Sequence, residues 1–219
     1  ALRTNLDFYV KGDRKRVILI TSCLEHEGKS FMALNLAMSY AQLGRKTILM
    51  DFDLRKPKTY FKENEEIGEG LSSYMISKIE IEDIIIKSPN ENLDYILAGI
   101  LPPNPVELLA LEKTGKLLVK LKDDYDIIVL DSPPLAQVTD AYLLMNHADL
   151  KVIVTRQNYT IKNVFSLVMK DLKNKKIDRI CVVLNDNKIY SDQYGYGYGY
   201  YNKESKREWR RTKPISEAH

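Results

Sequence analysis

The stretch Val17-Ile18-Leu19-Ile20-Thr21-Ser22-Cys23-Leu24-Glu25-His26-Glu27-Gly28-Lys29-Ser30 decides how this chain folds. Its first four residues are apolar and mostly β-branched, the composition of a strand buried on both faces. From Ser30 to Leu43, apolar Leu34, Ala37, Met38 and Ala41 recur at helical spacing, and Gly44 supplies a stop. A loop ending in Gly-Lys-Ser joins the two. Such a strand–loop–helix unit turns backbone N–H groups inward at a helix N-terminus, where partial positive charge favours an anion. The pattern is that of a phosphate loop with Cys23 at its first glycine position. Cys23, Leu24, Glu25, His26, Glu27, Gly28, Lys29, Ser30 and Phe31 are therefore the expected nucleotide-binding residues. Gly28 permits close backbone approach, Lys29 reaches the β- and γ-phosphates, and Ser30 offers its hydroxyl to Mg²⁺.

Outward from this unit, further apolar runs predict strands over 47–50, 93–97, 127–130, 151–155 and 181–184. Helical spacing predicts helices over 3–10, 106–121, 140–146 and 161–172, while residues 56–92 carry the weakest pattern. Strands alternating with helices imply an α/β fold, a mostly parallel central sheet with helices on both faces. Two more motifs end strands. Ile48-Leu49-Met50-Asp51-Phe52-Asp53-Leu54-Arg55 places two aspartates at i and i+2, on one side if the strand runs that far. One carboxylate could hold Mg²⁺ while the other accepts a proton. Ile127-Ile128-Val129-Leu130-Asp131 ends in the aspartate expected of a second Mg²⁺ anchor. Ligands of open α/β sheets bind at this edge.

The 219 residues suit one such domain, and 44% hydrophobic with 29% charged content is ordinary for a globular chain. A net charge of +3 is too small to imply nucleic acid. Cys23 and Cys181 have no metal-ligand spacing and no disulfide framework, which fits a reducing cytoplasm. There is no signal peptide, and no apolar run reaches the roughly 18–20 residues of a membrane span. The chain opens at Ala1 without an initiator Met, as expected of a fragment of something longer.

Residues 190–219 read as a separate tail beyond a domain of residues 1–189. Tyr190, Tyr194, Tyr196, Tyr198, Tyr200 and Tyr201 are six of the chain's 14 tyrosines, mostly alternating with glycine. Glycine between tyrosines removes the side chains a strand would pack, so the segment is expected to display phenolic hydroxyls. Six Lys/Arg against three Glu follow in the last eighteen residues, expected to be a solvated end.

Taken together, the motifs resemble the bacterial tyrosine kinases of capsule and exopolysaccharide assembly, which share the phosphate-loop fold of the ParA/MinD group. The resemblance runs to about residue 201. Its carriers are 23–30, Asp51-Phe52-Asp53-Leu54-Arg55, Asp131 with its strand, and the tyrosine cluster. Leu2-Arg3-Thr4-Asn5-Leu6, residues 99–109 and Val138-Thr139-Asp140-Ala141 are similar as well. The resemblance implies that Ser30, Asp53 and Asp131 hold Mg²⁺, directly or through water, and that Asp51 accepts the tyrosine proton. It implies a phosphate-binding Lys29, a structural or phosphate-facing Arg55, and an adenine-reading Asn185. The six tail tyrosines become phosphoacceptors for ATP, modified in trans within a ring, an octamer at native length.

The resemblance further implies a membrane-spanning polysaccharide co-polymerase as activator, a cognate tyrosine phosphatase, and a place at the inner face of the plasma membrane. Of the family's oligomerisation motif only the final arginine, Arg3, is present. A second departure puts His26 where the family has glycine, so a constrained loop is expected, with activity surviving. A ParA/MinD-type ATPase is disfavoured, because Leu24 stands where that group has its extra lysine. A nucleotide-binding scaffold without kinase activity is the other reading.

Overall fold

Strands built from the apolar runs form one seven-stranded sheet in the order β3-β4-β2-β5-β1-β6-β7. The computed structural model describes residues 2–9, 15–56, 68–77, 79–136 and 139–187. The six tail tyrosines, and the expected tail as a whole, lie outside these. Strands β1 (Arg16–Ser22), β2 (Thr47–Asp51), β4 (Leu93–Ile96), β5 (Ile127–Asp131), β6 (Leu150–Arg156) and β7 (Ile180–Asn185) are parallel. The exception is β3 (Ile86–Lys87), antiparallel on β4 at the sheet edge.

The period-2 alternation of the strands explains the two layers. Val17, Leu19, Ile48, Met50, Ile128 and Leu130 point into one core. That core also takes side chains from α3 (Leu71–Ile76), α4 (Ile81–Ile84), α5 (Pro105–Leu109), α6 (Glu112–Asp124), α7 (Asp140–Met145) and α8 (Lys162–Asn174). Ile18, Ile20, Leu49, Ile127 and Val129 point to the other, beneath α1 (Leu2–Tyr9) and α2 (Lys29–Ala41). Each fully buried Ile or Leu contributes about 1.5–3 kcal/mol, which holds the central strands β1, β2 and β5 in the middle of three layers.

One expectation needs correction, and one open alternative is resolved. The predicted helix over 106–121 is two helices, because the chain leaves helical geometry at Leu111 (φ −63°, ψ 141°) between α5 and α6. Neither Gly nor Pro marks that break; packing does, with Leu109 buried on one side and Thr114 on the other. The aspartates of the second motif do not continue a strand. β2 ends at Asp51, and the chain turns so that Asp53 N–H donates to Asp51 Oδ1 at 3.0 Å. Within 56–92, α3, α4 and β3 form without a clear sequence period.

α3 is anchored by a backbone-to-backbone approach. Leu71 N–H donates to Leu97 O and Ser72 N–H to Ala98 O, both at 2.9 Å. A Cβ on Gly70 would lie 2.6 Å from Gly99 N and from Leu97 O. Gly70→Ala is expected to destabilise the chain by about 1–3 kcal/mol in urea melts. Gly68→Ala, where a Cβ meets nothing within 4 Å, is expected to stay within about 0.5 kcal/mol of the parent.

Candidate nucleotide site at the ends of the central strands

Parallel pairing brings the carboxyl ends of β1, β2 and β5 to one level. Asp131 is in register with Ile20 of β1 and with Asp51 of β2. Asp51 and Asp131 are fully buried and Asp53 nearly so. Lys29 opens α2 and reaches into this cluster, its Nζ 3.1 Å from Asp53 Oδ2 and 3.7 Å from Asp131 Oδ1. Its ammonium is itself buried, which only the adjacent carboxylates make tolerable.

The loop that delivers Lys29 wraps over the end of β1. Cys23 is fully buried in the core rather than facing a ligand. Burial, and then the Glu27 carboxylate, push its thiol up to about 12. Ser22 Oγ donates to Leu24 O at 2.6 Å, and Leu24 packs on the core. Glu25 reaches across to Lys56, Oε1 to Nζ 2.6 Å, joining the loop to the Asp53-Leu54-Arg55 segment. His26 adopts φ +60° with an exposed side chain. Its left-handed backbone is the one a glycine would hold, so the bulky residue is accommodated without filling the loop's interior. Glu27 is fully buried, accepting from Leu24 N–H at 2.7 Å and from the Thr160 hydroxyl.

Gly28 caps α2 at φ 94°, and Asn185 explains why nothing larger fits. Asn185 Nδ2 donates to Glu27 O at 3.0 Å and would lie 2.2 Å from a Cβ on residue 28. Asn185 thus touches the loop backbone from the end of β7. Ser30, half-buried, follows Lys29 in the first turn of α2. Phe31 is 65% exposed, and its carbonyl accepts from Asn35 Nδ2 at 2.8 Å.

Arg55 lies beside this cluster rather than in it. It grips Asp140 at the start of α7 with Nε–Oδ2 2.9 Å and Nη2–Oδ1 3.3 Å. Hydrogen bonding to Asp140 holds its guanidinium above the usual arginine range. Asp140 is fully buried, a neutralising role its sequence position did not announce. Arg3 is outside the site altogether: Nη1 donates to Ser39 O at 3.2 Å, joining α1 to α2. Thr160 and Arg156 were missed because nothing in their local sequence points across 130 residues to the loop.

Three carboxylates against one ammonium leave the pocket with formal negative charge, which suits a divalent cation. Among the described residues no group of three or more His, Cys, Asp or Glu converges on a common metal position. A cation here would therefore draw on Ser30, Asp53 or Asp131 together with phosphate oxygens. The arrangement can hold a phosphate chain at a helix N-terminus, neutralise it, and keep carboxylates beside it.

Comparison with known proteins gives the family. A family model described as an AAA domain matches residues 16–180. The chain is 35% identical over 199 residues to the tyrosine-protein kinase YwqD of Bacillus subtilis (strain 168), covering 90% of this chain and 84% of that one. It is 33% identical over 195 residues to a putative tyrosine-protein kinase in the cps region of Klebsiella pneumoniae, covering 89% of this chain and 27% of that protein. The kinase domain of the Escherichia coli tyrosine kinase ETK superposes with a TM-score of 0.80 at 31% identity, over 91% of this chain and 78% of that one.

Two outcomes test the site as built. With its thiol at about 12, Cys23 is less than about 0.1% thiolate at pH 8 and should resist iodoacetamide in the native chain. Mass spectrometry should find it alkylated only after urea unfolding. Arg55→Met should leave the Asp140 carboxylate buried without its guanidinium, lowering stability by about 1–3 kcal/mol in a denaturant titration.

Proposed function

This chain belongs to the bacterial tyrosine-protein kinases, and on that premise we propose that it phosphorylates its own tyrosines at 190, 194, 196, 198, 200 and 201, in trans, from Mg-ATP. The observation that carries this reading is the buried meeting of Lys29 with Asp53 and Asp131 at the ends of β2 and β5. Bound there, Mg-ATP supplies the phosphoryl group and a cation that draws off its charge. The chain's own residues do the rest. Lys29 binds the phosphate chain, turning toward it from the two aspartates. Ser30, Asp53 and Asp131 hold the cation. Asp51 orients the acceptor phenol and takes its proton as the new P–O bond forms and the bond to ADP breaks. Arg55 keeps the Asp51–Arg55 segment aimed by its grip on Asp140. Asn185, already against the loop backbone at the end of β7, contacts the base.

Residues 1–189 are the kinase domain in this reading, and 190–219 the substrate tail and basic end. Glycines between the tyrosines let successive hydroxyls enter a neighbouring copy. Each phosphotyrosine adds roughly −1.5 to −2 charges, so accumulating phosphates repel one another and the site aspartates. An unmodified tail thereby favours a ring, an octamer at native length with Arg3 at its contacts, and a modified tail favours dissociation. The output is regulation of capsular or exopolysaccharide synthesis and export. A membrane-spanning polysaccharide co-polymerase serves as activator at the inner face of the plasma membrane, and a tyrosine phosphatase resets the tail. Among the described residues no helix is long and apolar enough to cross a membrane.

The test is incubation with Mg-ATP and mass spectrometry of residues 190–201. Phosphate should appear on several tyrosines and fall at least about 100-fold in Lys29→Met. ATP hydrolysis with an unmodified tail would instead favour an ATPase or a nucleotide-binding scaffold.

A further inference from the structure

The phosphate loop carries a backbone penalty that the His26 side chain does not relieve. His26 sits at φ +60°, a region that disfavours L side chains by roughly tenfold or more. Its imidazole is 79% exposed, with Nε2 3.9 Å from Glu25 Oε2, beyond hydrogen-bond reach. The relief comes from β6, the strand paired with β1. Arg156, the last residue of β6, donates from Nη1 to His26 O at 3.2 Å. Its Nε is held 3.2 Å from Asp186 Oδ2, just past β7, which fixes the guanidinium over the loop.

A second arm acts one residue on. Thr160 Oγ1 accepts Arg156 N–H at 2.7 Å and gives its single proton to Glu27 Oε1. Glu27 Oε2 in turn accepts Leu24 N–H at 2.7 Å. The chain of donors and acceptors is consistent throughout: backbone N–H to hydroxyl, hydroxyl to carboxylate, carboxylate to loop N–H. With Glu27 fully buried, these bonds are shielded from water and a missing partner would be felt in full. His26 and Glu27 are thus held from the end of β6 and from Thr160 just after it, immediately before Gly28 and Lys29.

We propose that Arg156 and Thr160 are positioning residues for the nucleotide. They brace His26 in the left-handed geometry that glycine would adopt unaided, and so set the affinity of the loop. The inference rests on reading residues 23–30 as the nucleotide loop, but not on where the phosphoryl group goes.

The experiment measures the affinity of the full chain for a fluorescent ATP analogue with Mg²⁺. Thr160→Val should weaken binding about tenfold, and Thr160→Ser should stay within about twofold of the parent. Arg156→Gln, at a half-exposed position that keeps the fold intact, should weaken it by about three- to tenfold. In the Arg156→Gln background, His26→Gly should recover most of the loss, because glycine needs no brace. In tail phosphorylation the losses should fall on KM for ATP, with kcat within about twofold. Parent-like binding by Thr160→Val and Arg156→Gln overturns the brace, as does an equal loss with His26 or Gly at position 26. Failure of the parent chain to bind the analogue overturns both readings. Binding without tail phosphorylation overturns the kinase reading alone, and the affinities still decide the brace.

Discussion

A buried lysine ammonium held between two buried aspartates is the contact around which this domain is organised. Lys29 lies 3.1 Å from Asp53 and 3.7 Å from Asp131. Neither sign could be buried alone without a penalty of several kcal/mol per ion. The contact exists because β1, β5 and β2 are parallel neighbours in register, so that one loop and two strand ends finish side by side. Antiparallel pairing would put alternate ends at opposite edges and scatter these charges. The same pairing demands crossover helices, which cover both faces and permit strands without a polar side.

Around that centre the loop is a borrowed geometry. Its two unusual residues are tolerated for different reasons. Cys23 is absorbed into the core, where its high thiol pKa keeps it an inert apolar filler. His26 keeps a glycine-like backbone while its side chain projects to solvent. The cost of the second is met by hydrogen bonds from the ends of β6 and β7, the strands on the far side of β1 from the aspartates. The site is therefore gripped from two directions. The aspartates of β2 and β5 hold its lysine, and Arg156, Thr160 and Asn185 hold its backbone. Loop shape and site charge are set by different strands, and can vary separately.

Much of this was legible in the residues themselves. Apolar runs marked the six parallel strands to within about three residues, most plainly in β1, β2 and β5, which are buried on both faces. The Gly-Lys-Ser at a helix start marked the loop, because few other residues suit that turn and that charge. What stayed hidden lacked a local signal. The break at Leu111 has no Gly or Pro, and the short elements between 68 and 87 are stabilised by packing on Gly99 and β4 rather than by their own period. Asp140 lies in a stretch similar to the family, but only its contact with Arg55 shows what it does.

The sequence by itself determined the kind of fold, the loop between β1 and α2 and the carboxylates at the strand ends. Each of these follows from short-range chemistry: hydrophobic period, backbone freedom and charge at a fixed spacing. Only the tertiary structure decided that Asp51 caps a turn, that Arg55 serves Asp140, and that Thr160 and Arg156 hold His26 and Glu27. The pairings of Arg55 with Asp140, and of Arg156 and Thr160 with the loop, join residues 85 to 133 positions apart. They depend on strand order and register, which no local pattern encodes.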